Sequence, residues 1–521
     1  MAKLYEYQGK AILANAGIPT PKGGIARTVE QARDIAASLG GTMVVKAQAW
    51  VTSRAEKKLI YFPDTVEEAA EAAHALLGQQ VGNFPVEAVL VEERIPFERE
   101  IYIGLIVDDR ERRPVVIVSS VGGSGIEEIA VQHPERIARF APDIRTGLQD
   151  FEARELVRKL GFEGKQLLSL GDVLVKFYKA ARQYEARSLE INPLALTANG
   201  RWMALDCRMT VDDYAVYRHP DLGIEIARDI DHPPTPLERI AWDVEKDDYR
   251  GTFYFLQMET EFSPDDTVVG FHGSGGGGSM MNMDALLTHG FKIADFVDTS
   301  GNPPASKVYR AARIILSQPR VDAYFAGGSG VASQEQFHSA RGLVKAFMDV
   351  QLNVPAVIRI GGNAEEQAIE ILERANGTFP APVEAYGRDQ TPDFCADRLA
   401  DLIENYTPTE QVTPREILPA SEPYTFETMT GGTVRYDHSL CRDCESKACI
   451  SSCVPQILSL DGDVPVLNIT REEAKKGGCI ECLACEVECH FLGNRGGYIH
   501  LPIQGLDDPA GFAMNEVRHA D

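Results

Sequence analysis

The sequence predicts a multidomain α/β chain that ends in a small α+β module. Three observations lead there. At about 150 residues per domain, 521 residues imply roughly three domains. From about Asp265 onward, short apolar runs alternate with amphipathic stretches, the pattern of a parallel sheet covered by helices. Eight of the ten cysteines then crowd between Cys441 and Cys489, where that alternation has ended.

In the first half, Met43-Val-Val-Lys46, Ala88-Val-Leu-Val91 and Val115-Val-Ile-Val118 read as buried strands. Asp64-Thr-Val-Glu67 reads as a capping box that opens a helix, and Gly78 is placed to end it. Residues 187–206 read as a hairpin with Ala198-Asn-Gly200 as its turn. Beyond Asp265, strands are expected at Thr267–Phe271, Ala323–Phe325 and Ala356–Ile360. Gly273–Ser279 is expected as a glycine loop before a helix, serving either as an anion cradle or as a flexible turn. Ser333-Gln-Glu-Gln336 is expected to cap the helix that runs toward Asp349. Pro408, Pro414, Pro419, Pro423 and Gly431-Gly432 mark a linker.

Composition excludes several functions. A net charge of −25 argues against nucleic acid or an anionic membrane as partner. No apolar run reaches the ~18 residues of a membrane-spanning helix. The first residues lack the apolar stretch of a secretory signal, and the first 394 residues carry a single cysteine, Cys207, so a reducing cytoplasm is expected. Hydrophobic residues make up 44%, enough for a sizeable core.

The cysteines form two runs, C-x2-C-x4-C-x3-C at Cys441, Cys444, Cys449 and Cys453, and C-x2-C-x2-C-x3-C at Cys479, Cys482, Cys485 and Cys489. Structural zinc modules favour C-x2-C knuckles separated by a longer stretch. Two tight quartets instead fit a pair of [4Fe-4S] clusters, in which the fourth cysteine of each run crosses to the other cluster. That rule assigns Cys441, Cys444, Cys449 and Cys489 to one cluster and Cys453, Cys479, Cys482 and Cys485 to the other. Pro455 stands two residues after Cys453, and His490 follows Cys489 where bacterial-type runs have proline; both change loop shape, not ligand count.

The hairpin lets Glu190, Asn192 and Asp206 project from neighbouring strands. A carboxylate with an amide oxygen suits Mg2+ and bound phosphates, although a turn Asn and a surface Asp satisfy the same pattern. Seven segments in collinear order then resemble the β subunit of succinyl-CoA synthetase, the ADP/GDP-forming succinate–CoA ligase. They are Leu4-Tyr-Glu-Tyr-Gln-Gly-Lys10, Val44-Val-Lys46, Glu100-Ile-Tyr-Ile-Gly104, Glu190-Ile-Asn-Pro-Leu194, Arg218-His-Pro-Asp-Leu222, Ile314-Ile-Leu-Ser317 and Asn353-Val-Pro-Ala-Val-Ile-Arg359. The likeness covers about residues 3–400.

This resemblance implies an ATP-grasp domain at 1–240 and a flavodoxin-like parallel α/β ligase domain at 241–404. A linker at 405–437, a ferredoxin-like cluster domain at 438–505 and a tail at 506–521 complete the expected plan. It also implies ATP or GTP with Mg2+, CoA, a small carboxylic acid, and a separate α chain that carries the phosphorylated histidine. No histidine of this chain matches that histidine loop. Matched residue by residue, Lys46 holds nucleotide phosphates, Arg54 fills the arginine slot of the nucleotide site, Glu92 sits at the hinge of that site, and Glu100 lines it. Asn192 and Asp206 take Mg2+, Glu190 orients the partner's histidine, and Gly327 and Gly328 form a turn that opens a helix toward the phosphohistidine.

The chain departs from the family pattern after Lys46. In Ala49-Trp-Val-Thr-Ser-Arg-Ala-Glu-Lys-Lys58 the glycines of the nucleotide loop are gone, and Trp50 either covers a base or packs. Arg208 and Tyr214 replace the usual Lys and Asn, which leaves the acid open. The expected function is the β-type subunit of an NDP-forming acyl-CoA ligase with an electron-transfer module. The rival is an electron-transfer subunit, served by a redox partner protein, on a ligase scaffold whose nucleotide site has degraded. In a third reading the clusters are structural.

Overall fold

The computed structural model describes every residue except 1, 52, 53, 55, 56, 124–130, 225–231, 247, 249, 410–412 and 508–521. The excluded residues take in most of the expected tail and part of the stretch after Lys46. The chain divides into two compact units, Met1–Pro233 and Pro234–Asp521.

The first unit holds two antiparallel sheets. The larger runs in the order Ala2–Lys3, Arg208–Val211, Ala186–Thr197, Phe97–Asp108, Arg113–Ser119, Ile137–Phe140, with Trp202–Ala204 added to Ala186–Thr197. Period-two alternation turns Ile101, Ile103 and Leu105 inward, into one core with Leu170, Leu174 and Phe177 of the helix Gly164–Gln183. The expected hairpin is present: Leu194 pairs with Ala204 and Leu196 with Trp202, and Gly200 takes φ +72° in the turn. The smaller sheet runs Gly23–Ala26, Val89–Glu93, Met43–Ala47, Ile60–Tyr61. Its valines pack on alanines of the helices Val29–Leu39 and Val66–Leu76. The N-cap of the latter helix is Thr65, one residue later than expected, and the box is not closed on it: Thr65 accepts from the Glu68 amide, and Glu68 accepts from the Asp64 amide.

The second unit is built on a sheet ordered Tyr254–Gln257, Asp295–Asp298, Val268–Ser274, Ala323–Gly328, Ala356–Arg359, Val383–Tyr386, parallel except for the first pair. The helices Gly276–Thr288 and Pro392–Asn405 cover one face. On the other, Ala305–Leu316, Phe337–Val350 and Glu365–Ala375 share a core that continues into the cysteine module through Phe426, Tyr436, Val487 and Ile499.

Part of the stretch expected as linker is ordered structure. Pro423–Glu427 and Thr433–Asp437 form a hairpin, to which Gly497–His500 adds a third antiparallel strand. The glycine pair that reads as linker is the turn of this hairpin. Upstream, Arg415 is tied to Glu486 at 2.8 Å. The rest of the module comprises the hairpin Leu458–Asp461/Val464–Leu467, the short helices His438–Cys441 and Ala448–Ser451, and the helix Ala484–Leu492. Among the described residues no helix is long and apolar enough to cross a membrane.

Candidate functional site

In the first unit the expected phosphate-binding residues meet in a closed, buried ion network. The helix Glu6–Asn15 sets Glu6 and Lys10 one turn apart, 2.7 Å between charged atoms. Lys10 also reaches Glu92 at 2.7 Å. Lys46, on the strand Met43–Ala47, contacts Glu92 at 2.6 Å and Glu6 at 2.9 Å, and donates to the Leu205 carbonyl at 2.6 Å. Arg54 pairs with Glu6 at 2.6 Å and clamps both Asp206 oxygens at 2.7 Å. Three cations thus balance three carboxylates. Burial alone raises the Glu6 carboxyl, but Lys10, Lys46 and Arg54 outweigh it and hold the group well below the usual carboxylate range. The same carboxylates overcome burial at Lys46 and raise it, so the lysine stays charged.

This geometry changes several expected roles. Glu92, expected at the hinge of the nucleotide site, is buried inside the network. Asp206 is engaged by Arg54 and by the Cys207 amide at 2.7 Å. Asn192 spends both ends of its amide on the Gly123 backbone, accepting at 2.8 Å and donating at 3.1 Å. Glu100 is half-buried on Phe97–Asp108, opposite Ala195. Glu190 is half-buried across from Arg208, and burial raises its carboxyl while Asn192 and Arg208 oppose that rise. Trp50 packs: it stacks on Tyr5 at 5.0 Å and meets the Phe84 edge at 5.4 Å. Glu6 and Lys10 lie within the first quoted segment but carried no assigned role; their spacing of four on a helix was the available signal.

In the second unit a cavity of about 260 Å³ opens at the C-terminal ends of the parallel strands, lined by His272, Ser274, Thr299, Gly328, Ser333 and Arg359 among others. Ligands of open α/β sheets bind at this edge. Gly327 and Gly328 line it but do not open a helix. They end the strand Ala323–Gly328, and the next helix starts only at Phe337, with Gln336 as an N-cap that lacks a side-chain bond. Of Ser333–Gln336, expected as its cap, the first three residues belong to the short strand Ala332–Glu335. The helix start beside the glycine pair is that of Gly276–Thr288, whose first turn absorbs Gly276, Gly277 and Gly278. A Cβ at Gly278 would stand 2.2 Å from the Ser329 amide, so close backbone packing, not a loose loop, explains that glycine. His272, which the sequence does not single out, lies under the cavity. Its Nδ1 meets the Tyr324 hydroxyl at 2.6 Å, and burial lowers its pKa to about 3, so the ring is neutral.

No disulfide joins any of the ten cysteines, eight of which lie in the C-terminal module. The sulfurs separate into two neighbourhoods. Cys441, Cys444, Cys449 and Cys489 act on one another, as do Cys453, Cys479, Cys482 and Cys485. A small cavity is walled by all four sulfurs of the second group together with Pro455 and Ile457. The Gly497 amide donates to Cys489 Sγ at 3.3 Å, and a Cβ at Gly496 would stand 3.1 Å from Cys441 Sγ. Burial pushes the Cys441, Cys449 and Cys479 thiols up to about 12. Tyr436, fully buried, lies against Cys485, Cys449 and Cys453, members of both groups. Among the described residues, no three His, Cys, Asp or Glu side chains are gathered as a site for a metal ion.

Comparison with known proteins follows these divisions. Residues 3–196 match the ATP-grasp domain family. The chain is 37% identical over 383 residues to the β subunit of a GDP-forming succinate–CoA ligase from Thermus thermophilus, covering 73% of this chain and 96% of that one. It is 36% identical over 372 residues to an ADP-forming succinate–CoA ligase β subunit from Roseiflexus sp., covering 71% and 93%. Among solved structures, the ATP citrate lyase of Methanothrix soehngenii, determined with citrate and coenzyme A, superposes with a TM-score of 0.64 at 17% identity, covering 77% of this chain and 99% of that chain; that likeness speaks to fold alone. With the buried network, the strand-end cavity and these two close relatives in view, the chain belongs to the family of succinate–CoA ligase β subunits, which are subunits of acid–CoA ligating enzymes.

Proposed function

We propose that this chain is the β-type subunit of an NDP-forming acyl-CoA ligase that carries two [4Fe-4S] clusters in its C-terminal module. The observation that carries the ligase reading is the meeting of buried Lys46 and Arg54 with half-buried Asp206 in one ion network on the ATP-grasp sheets. In this reading ATP loses its γ-phosphoryl group to a histidine of a partner α chain: a P–O bond breaks, a P–N bond forms, and ADP leaves. The phosphoryl group then passes to a carboxylate to give an acyl phosphate, and the CoA thiolate displaces phosphate. Lys46 and Arg54 exchange Glu6 and Asp206 for nucleotide phosphates, which frees Asp206 for Mg2+, while Asn192 would have to give up the Gly123 amide to join it. The metal supplies charge neutralisation at the phosphates. Glu190, its proton affinity raised by burial, accepts an N–H of the partner's imidazole and orients the ring. Glu100 lines the nucleotide site, and Gly327–Gly328 lies where the phosphohistidine is received.

The cluster reading is supported by the division of the eight sulfurs into the two crossed quartets, by a small, mostly apolar cavity that all four cysteines of one quartet help to line, and by amide donation to sulfur. A cubane spreads its four thiolates around a cluster, so they do not converge as around a single ion. The raised thiols lose their protons on binding iron, as metal-bound thiols do.

The closed network favours one other reading. Every cation that would meet phosphate already has carboxylate partners, so the chain also fits an electron-transfer subunit whose nucleotide site has become structural. The test is to combine the chain with its α partner, ATP or GTP, Mg2+, CoA and a panel of carboxylic acids. ADP or GDP release supports the ligase. No release with any acid, together with no nucleotide binding by calorimetry, overturns it in favour of the second reading. That reading predicts cluster reduction by a redox partner protein whether or not nucleotide is present.

A further inference from the structure

Arg341 is the buried cation whose partners are missing. It sits on the helix Phe337–Val350, is 5% exposed, and its Nε and Nη1 donate to no acceptor among the described residues. Burying a guanidinium without hydrogen bonds is costly unless a compensating negative charge is near. Its neighbours do not supply one freely. Lys345, one turn on, is already neutralised by Glu486 at 2.9 Å and Asp349 at 3.0 Å. Glu488 is held by both of its oxygens to Arg374 at 2.9 Å. The Phe337 ring lies 4.7 Å from the guanidinium and offers only a weak attraction. The Lys345–Glu486 pair, one turn on, seats this helix against the helix Ala484–Leu492, where Glu486 directly follows Cys485, and Cys482 and Cys485 of the second quartet are among the groups that act on Arg341.

We propose that Arg341 is the counter-cation of the cluster held by Cys453, Cys479, Cys482 and Cys485, and that it raises the reduction potential of that cluster above that of its neighbour. The inference rests on the cluster reading above. A cubane bound by four thiolates is anionic, and reduction adds one electron and one further negative charge without breaking a bond. A fixed positive charge beside it stabilises the reduced form more than the oxidised form. The charge comes from a helix of the parallel-sheet layer, not from the cysteine module. The same helix lines the strand-end cavity with Ser339 and Leu343. The ligase body therefore sets which cluster an incoming electron occupies.

The test is a potentiometric titration of the full-length, anaerobically purified protein with dithionite and mediators, read by EPR. Cys482→Ser identifies which signal belongs to the second cluster. Arg341→Gln is expected to disfavour reduction of that cluster about tenfold, a shift of about 59 mV for one electron. The first cluster should stay nearly unchanged, and Arg341→Lys should retain most of the wild-type value. Glu488→Gln, which removes a negative charge from the same surroundings, should shift the second cluster in the opposite direction and serves if Arg341→Gln does not hold iron. Full iron content with unmoved potentials in these variants overturns the inference while leaving the clusters standing. Wild-type protein that binds no iron overturns the cluster reading, and the role of Arg341 with it.

Discussion

Lys46 is where binding and stability meet in one side chain. It is enclosed by Glu6, Glu92 and the Leu205 carbonyl, so Lys46→Met leaves two buried carboxylates short of a cation. Breaking a buried pair in this way costs about 3–5 kcal/mol. Loss of a phosphate-binding cation lowers kcat on the order of 10²–10³-fold. Thermal unfolding and ADP release measured on the same preparation separate the two effects. A variant that loses stability yet releases ADP normally shows that the lysine is structural alone. Asp295 gives a cleaner pH signature. It is buried, accepts from Gln318 at 2.6 Å, leaves Oδ2 unpaired, and burial raises its carboxyl to about 8. The unfolded chain releases this proton near the ordinary value of 3.8 while the folded chain keeps it. Its contribution to stability is therefore complete below about pH 4 and is lost as pH rises through about 8. Asp295→Asn should flatten the stability profile over that window and raise stability at pH 8 by about 1 kcal/mol or more, as denaturant titration at several pH values will show.

At the scale of elements, backbone contacts hold the strand-end cavity together. Gly278 touches the Ser329 amide and Gly328 the Ser274 carbonyl, so the helix Gly276–Thr288 and the end of Ala323–Gly328 meet without side chains between them. Gly278→Ala should displace this edge and reduce acyl-CoA formation at least tenfold. Nucleotide affinity, a property of the other unit, should change little, and calorimetry beside a turnover assay checks both. Strands and the hairpin were legible in the sequence because apolar runs and an Asn-Gly turn report local conformation directly. Gly273–Ser279 was not, since a glycine run gives no sign that Gly276 to Gly278 sit in a helical turn against another strand. Nor was the hairpin at 423–437, where Pro423 and Gly431-Gly432 read as linker yet occupy a strand start and a turn. The two groups of cysteines that act on one another follow the crossing read from the spacing. Arg341 was not singled out, because the cysteines that act on it lie more than a hundred residues away in sequence.

At the scale of the whole chain, a ligase-family body and a cysteine-rich module share one polypeptide. The relatives account for 73% of its length, and the cysteine module shares a continuous core with the parallel-sheet layer. Chelation of iron should therefore loosen more than the module. Prolonged treatment with a chelator under reducing conditions is expected to lower the melting temperature of the second unit and expose the hairpin at 423–437 to protease. An unchanged digestion pattern would show that the module folds without metal. The most direct test of the central claim follows the γ-phosphoryl group itself. The complex of this chain with its α partner is incubated with γ-labelled ATP and Mg2+, and the label is then located. The account predicts acid-labile label on a histidine of the partner, lost when Lys46 or Asp206 is replaced while the iron content holds. Label that never leaves ATP, in a complex that still binds both clusters, would contradict it.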